Sequence, residues 1–225
     1  MTKTIAIGVD VGGSHVGFAA CQIQEKKYLP ETLSENDLDN QGTVEEIIGA
    51  CGTINSLSIK LGTGFGSAFL SHRMPVTSGE NVPETGAVWH LPFENENADD
   101  YFSTCGLLYR YQTLTGKQLS GVKELAQLVP NDEIANKLFI DSGYKMGIFL
   151  KPWLQKSKIE ILVIGGNISN AFSLFGKYLQ DYLSENEVEI RIEISELKET
   201  AAMIGSSILA DDTYYEQLKP LLATM

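Results

Sequence analysis

The chain has 225 residues, 43% of them apolar and 20% charged, so it can bury a full core and does not have the composition of a disordered segment. Its 29 acidic against 17 basic residues give a formal net charge of -12, which argues against a nucleic-acid partner, since such partners are held by neutralising phosphates. Cys21, Cys51 and Cys105 are scattered without a C-x-x-C pair, and no apolar run reaches membrane-spanning length; no disulfide framework, zinc site or membrane partner is expected, and cytoplasm is the expected compartment.

From Ile5 to Ile23 apolar residues dominate, broken in the middle by Val11-Gly-Gly-Ser14, which predicts strand, glycine turn, strand. A third short strand is predicted over Tyr28 to Leu33, then a polar loop over Ser34 to Gln41. Thr43 can cap a short helix from Val44 to about Ala50, with Glu45 and Glu46 in its first turn. Leu57 to Leu61 is read as a strand returning as Gly66 to Leu70. The Pro-, Gly-, Asn- and Glu-rich stretch Ser71 to Asp100 is read as functional loop rather than core. Helices are predicted over Tyr101 to Thr115, ended by Gly116, over Gly121 to Val129, and over Asp132 to Trp153 with Ile134, Leu138, Tyr144 and Ile148 on recurring faces. Ile159 to Ile164 reads as a buried strand, Ala171 to Leu183 as an amphipathic helix, and Val188 to Ile194 as a half-exposed strand. Small residues among Glu199 to Leu209 suit a helix lying close to a sheet. Hairpin strands first and βα alternation last give an α/β class.

Three glycine-rich turns each follow an apolar strand: Ile5-Ala-Ile-Gly-Val-Asp-Val-Gly-Gly-Ser14, Leu57-Ser-Ile-Lys-Leu-Gly-Thr-Gly-Phe-Gly66 and Ile161-Leu-Val-Ile-Gly-Gly-Asn167. Strands ending in glycines bring backbone N–H groups close to an anion, because no Cβ stands in the way. In the first turn Gly12 and Gly13 can meet phosphates, Ser14 can donate its hydroxyl, and Asp10 suits indirect contact with Mg²⁺. A plain Gly-Gly hairpin would carry the same letters. The second turn supplies Gly62, Gly64 and Gly66 with the Thr63 hydroxyl beside them. Gly165, Gly166 and Asn167 can border an adenosine, or form a simple βα turn. His90, in Trp89-His-Leu-Pro-Phe93, fits a sugar or metal contact, or an ordinary hydrogen-bonded histidine. The acids Glu94 to Asp100 read as a solvated loop.

In this order, Ile7-Gly-Val-Asp-Val-Gly-Gly-Ser14, Leu61-Gly-Thr-Gly-Phe-Gly66 and Val163-Ile-Gly-Gly-Asn167, with the closing Ala201-Ala-Met-Ile-Gly205, resemble the ROK family (repressors, open reading frames, kinases). The resemblance implies a two-lobed actin/hexokinase-like (ribonuclease H-like) α/β fold with a reduced small lobe. It divides the chain into 1–56 plus 199–225 as that lobe and 57–198 as the nucleotide and sugar lobe. It further implies ATP with Mg²⁺, transfer of the γ-phosphoryl to a hexose hydroxyl, and homodimers among relatives. Asp10, Gly12, Gly13 and Ser14 would be the first phosphate loop, Gly62, Thr63, Gly64 and Gly66 the second, and Gly165, Gly166 and Asn167 the adenosine contact. His90 falls on the histidine of the family's Glu-x-Gly-His motif, and Asp99 falls near an acidic sugar ligand.

The sequence departs from the family pattern in four places. Ala87 stands where that motif has glutamate, leaving Glu84 as the nearest substitute. The zinc-binding cysteine cluster of many relatives is absent, Ser103-Thr-Cys-Gly106 standing there. No helix-turn-helix precedes the first strand, which disfavours the repressor branch. The stretch that carries an Asn-Asp motif with the catalytic base is shortened; Glu35-Asn-Asp37 has its letters and puts Asp37 forward as the base, although Leu38-Asp-Asn-Gln follows it. Two readings stay open: an ATP-dependent hexose kinase, or a catalytically impaired relative that binds nucleotide or sugar.

Overall fold

The computed structural model describes residues 5–11, 16–22, 27–28, 54–72, 74–195 and 212–222. Ile5–Val11 (β1) and Val16–Gln22 (β2) pair antiparallel with Asp10 opposite Gly17, and Lys27–Tyr28 (β3) adds to β2. This is the predicted hairpin and third strand, the latter starting one residue earlier. The helix predicted over Val44 to Ala50 and the one over Glu199 to Leu209 lie outside the described residues.

The second sheet positions the site. Asn55–Leu61 (β4) and Phe65–Ser71 (β5) form an antiparallel hairpin, and Met74–Pro75 (β6) extends it. Ile161–Gly165 (β9) pairs parallel to the other side of β4, and Arg191–Ile194 (β10) runs parallel to β9. The order is β10-β9-β4-β5-β6, while the first sheet has β1-β2-β3. Each sheet therefore starts with the same antiparallel meander, and two parallel strands are appended to the second. Pro92–Phe93 (β7) and Glu96–Asn97 (β8) make a small separate hairpin.

Helices Ala98–Phe102 (α1), Thr104–Thr115 (α2), Val122–Leu128 (α3), Glu133–Lys156 (α4) and Phe172–Glu185 (α5) follow. A further helix, Asp212–Leu222 (α6), was not anticipated by the periodicity. Alternation along the strands sends Leu57, Ile59, Leu61, Leu162 and Ile164 into one core with Phe102, Phe139, Leu150, Phe175 and Leu179 from the helices. Ile161 and Val163 form a second small cluster, so β9 is buried on both faces, as parallel central strands are.

Three expectations needed correction. The helix predicted over Tyr101 to Thr115 is two helices: Ser103 is extended and its Oγ accepts from the Gly106 N–H at 3.3 Å, capping a new start. Gly116 ends α2 as predicted, at φ 71°. The face of α4 also differs. Ile134, Tyr144 and Ile148 are exposed, whereas Ala135, Ser142, Gly143, Met146 and Gly147 are buried. A Cβ on Gly143 would stand 2.2 Å from the Phe175 carbonyl oxygen, and one on Gly147 2.6 Å from the Tyr182 ring. The small residues form the contact stripe, and a search for large apolar residues at helical spacing passes over it.

The third correction concerns Ser71 to Asp100, which contributes Val82, Val88, Phe93 and Ala98 to the core. The Ser67 hydroxyl donates to the Gly86 carbonyl and accepts from the Val88 N–H, both at 3.0 Å, fastening this segment to β5. The acids at its end are used structurally too. Asn97 and Asp100 form a reciprocal capping box at the start of α1.

Candidate functional site

A cleft of about 780 Å³ opens beyond the carboxyl ends of the adjacent parallel strands β4 and β9, where open α/β sheets bind ligands. It brings together Gly62 and Thr63 of the β4–β5 turn with Gly166 and Asn167 after β9. Two of the predicted glycine turns, about a hundred residues apart in sequence, thus share one wall. Thr104 at the start of α2, the segment Ser120 to Lys123 and Gln127 of α3, and Asn170 and Ser173 complete the polar lining.

The β4–β5 turn is held from three sides. The Gly62 N–H donates to the Gly64 carbonyl at 3.1 Å, and the Gly62 carbonyl accepts from the Thr104 N–H at 2.8 Å. The Phe65 N–H donates to Asp99 Oδ1 at 2.6 Å. The amino end of α2, where helix amides concentrate partial positive charge, is therefore docked against the turn. Thr63 and Gly64 are left exposed at its tip.

The turn after β9 depends on one residue. Gly166 has φ +85°, and a Cβ there would lie 2.2 Å from the Leu61 carbonyl oxygen, so the two strand ends approach closer than any other residue allows. The Gly166 carbonyl accepts from the Ser169 N–H at 3.0 Å, and the Asn167 carbonyl accepts from Asn170 Nδ2 at 3.1 Å. Gly165 and Gly66 do not line the cleft; they flank Lys60 as its partners in the neighbouring strands.

The three candidate sugar residues lie off this cleft. Asp99 is half-buried at the start of α1, its Oδ1 3.3 Å from where a Gly64 Cβ would stand, on the phosphate turn's outer flank. His90 is half-exposed with its ring edge-on to Trp89, 5.3 Å between centroids. Glu84 is exposed in a short 3-10 turn. Of the remaining candidates, Asp10 is described as a backbone position in β1, and Gly12, Gly13, Ser14 and Asp37 lie outside the described residues.

Next to Asp99, a polar clamp ties α1 to α4. Glu94 accepts from the Tyr101 hydroxyl and from Lys145 Nζ, the latter at 2.9 Å. These bonds hold the Glu94 carboxyl below its ordinary value, and the same bond to Glu94, aided by burial, pushes the Tyr101 hydroxyl up to about 12. Arg110 donates to the carbonyls of Asp100 and Tyr101 and stands 4.8 Å over the Tyr101 ring; its burial pulls its pKa down.

Sequence reasoning missed Lys60, Thr104 and the α3 side of the cleft. Lys60 and Lys123 are the charged side chains among the described lining residues, and no carboxylate joins them there. In a chain with 29 acids, such a lining suits a polyanion. Among the described residues no three His, Cys, Asp or Glu side chains gather as a metal site, and no helix is long and apolar enough to cross a membrane. A divalent ion that travels with phosphates needs only one or two carboxylates from a protein.

The ROK family model matches residues 16–213. No curated protein sequence matches the chain. Among solved structures, the ROK hexokinase from Thermus thermophilus is 13% identical, with 91% of this chain and 98% of that chain covered at a TM-score of 0.70. A ROK family glucokinase from Streptomyces griseus, in complex with glucose and AMPPNP, is 14% identical, with 92% and 99% covered at 0.64. A ROK family transcriptional regulator, a homologue of the E. coli MLC protein, is 11% identical, with 98% and 80% covered at 0.72. These likenesses show the fold as actin/hexokinase-like α/β. With the family model spanning both sheets and the cleft between their defining turns, the chain belongs to the ROK family.

Proposed function

We propose that this protein is an ATP-dependent sugar kinase that transfers the γ-phosphoryl group to a hexose hydroxyl. The observation that carries this reading is the convergence of Gly62, Thr63, Gly166 and Asn167 on one cleft with a cationic lining. The glucose and AMPPNP held by the Streptomyces griseus glucokinase support the same assignment. In it, the amides and hydroxyl of Gly62, Thr63 and Gly64 orient the phosphates, with Gly12, Gly13 and Ser14 as the second loop. Gly165, Gly166 and Asn167 border the adenosine. Asp10 would approach Mg²⁺ through water, and the ion supplies charge neutralisation on the phosphates when bound.

His90, Asp99 and Glu84 are the sugar side of the proposal, with Asp37 as the base that removes the hydroxyl proton. Positioning and electrostatic stabilisation carry most of the acceleration in phosphoryl transfer, and a general base adds about 10² to 10⁴-fold. The division into a 57–198 nucleotide and sugar lobe and a lobe of 1–56 with 199–225 belongs to the same reading, as do a cytoplasmic site of action and a homodimer.

A second reading, a sugar or nucleotide sensor without turnover, is favoured by two observations. Ala87 replaces the motif glutamate, and a transcriptional regulator shares the fold. An ADP-release assay across several hexoses separates the two. Turnover that falls by about 10² or more in Asp37→Asn supports the kinase with Asp37 as base. Saturable ATP or sugar binding with no ADP release overturns the kinase reading in favour of the sensor.

A further inference from the structure

Lys60 occupies an unusual position in the central strand of the five-stranded sheet. Its strand neighbours on both sides are glycines, Gly66 across the antiparallel pairing and Gly165 across the parallel one. Paired residues in neighbouring strands project to the same face, so no other side chain stands beside Lys60 at that level of the sheet. Its Cβ is 3.4 Å from where a Gly66 Cβ would be, which a larger residue at 66 would crowd. The side chain is half-buried and lines the cleft one strand residue before the Gly62–Thr63 turn.

Lysine is among the residues least often placed within a sheet's interior, because desolvating its ammonium is costly unless an anion meets it. Lys123, the other lysine of the lining, differs: it is exposed in the first turn of α3, where water screens it. A strongly hydrated point charge on a flexible stem suits a phosphate oxygen whose exact position varies through a reaction.

We infer that the Lys60 ammonium binds the phosphate tail of the nucleotide, alongside the Gly62–Thr63 amides, and so grades affinity by the number of phosphates. The inference rests on the nucleotide reading of the cleft proposed above. The glycines at 66 and 165 leave the space through which the ammonium and a phosphate oxygen meet. The adenosine end, near Asn167 and α3, gains nothing from Lys60.

The test measures binding of ATP, ADP, AMP, adenosine and inorganic tripolyphosphate to the intact protein by calorimetry, with Mg²⁺ present. In the wild type, affinity should climb with phosphate number. Lys60→Met should lower ATP affinity by about ten-fold or more, as loss of a charge-assisted contact does, and leave adenosine within about two-fold. Lys60→Arg should keep the gradient. In the unmodified protein, ATP and tripolyphosphate should slow acetylation of the Lys60 amine, read by mass spectrometry, and adenosine should not. That second measurement decides the matter even where Lys60→Met fails to fold.

A Lys60→Met protein that binds ATP like the wild type, or a Lys60 amine that ATP leaves unprotected, overturns the inference while the nucleotide reading stands. A wild type that binds none of the nucleotides at millimolar concentration overturns both.

Discussion

Asp99 Oδ1 accepts a 2.6 Å hydrogen bond from the Phe65 backbone N–H, so a side chain from the start of α1 fixes the exit of the glycine turn after β4. An expected sugar contact is thereby also a brace for the phosphate turn. Asp99→Ala leaves a partly buried N–H without its charged acceptor and should cost about 1–3 kcal/mol. Asp99→Asn keeps an acceptor oxygen and should cost less. Urea denaturation of both variants checks this, and equal midpoints for Asp99→Ala and wild type would refute the brace.

Gly62 and Gly166 line the same cleft but should respond oppositely to alanine. At Gly166 a Cβ meets the Leu61 carbonyl at 2.2 Å with φ at +85°, so Gly166→Ala should lose at least about 1–3 kcal/mol or fail to accumulate as folded protein. At Gly62 nothing lies within 4 Å of the added methyl. Gly62→Ala should melt within a few degrees of wild type while weakening nucleotide binding, because its methyl enters the cleft. Thermal melts and calorimetric titration on the pair read the two effects separately.

The Glu94–Tyr101 bond sets a pH window. Glu94 has a folded pKa below its ordinary 4.5, so its contribution is full above that value and fades as pH falls through the folded one. Tyr101 has a folded pKa raised from 10.0 to about 12, so its contribution is full below 10 and fades as pH rises through about 12. Melting temperatures of wild type and Glu94→Gln should differ most between these limits and converge at the acid end. Because the pair is largely solvent-screened, a shift of only a few degrees is expected. A difference that persists unchanged into strong acid would refute it.

Helix α4 meets α5 through Gly143, whose added Cβ would fall 2.2 Å from the Phe175 carbonyl. Backbone, unlike a flexible side chain, cannot swing aside. Gly143→Ala should therefore destabilise by about 1–3 kcal/mol, the range for overpacking, even though alanine is the better helix former by about 1 kcal/mol. Chemical denaturation giving a more stable protein would show that the helices separate freely.

The glycine turns and their flanking strands were legible because a turn between two short strands is a local device: Val11-Gly-Gly-Ser14 and Leu61-Gly-Thr-Gly-Phe-Gly66 name their hairpins without tertiary help. What assembles the cleft is not local. Thr104 reaches Gly62 across about forty residues, and Asp99 reaches Phe65 across thirty-four. No periodicity encodes either contact. Lys60 was hidden for a different reason, since its meaning comes from glycines at 66 and 165 on two other strands. The α4 face was misread because close packing by Gly143 and Gly147 leaves Ile134, Tyr144 and Ile148 outside. The loop Ser71 to Asp100 looked polar in letters, yet its few apolar residues, Val82, Val88 and Phe93, are the ones that go inside.

The Thr104 N–H donates to the Gly62 carbonyl, and α2 is in turn pinned to the cap of α4, since the Tyr111 hydroxyl donates to Asp132 Oδ2 at 2.7 Å. Floor and helical roof are thus geared together. A tilt of α2 small enough to escape notice at its far end would tug the loop that faces an incoming anion, so distant changes in this layer would be felt as altered grip rather than as altered shape.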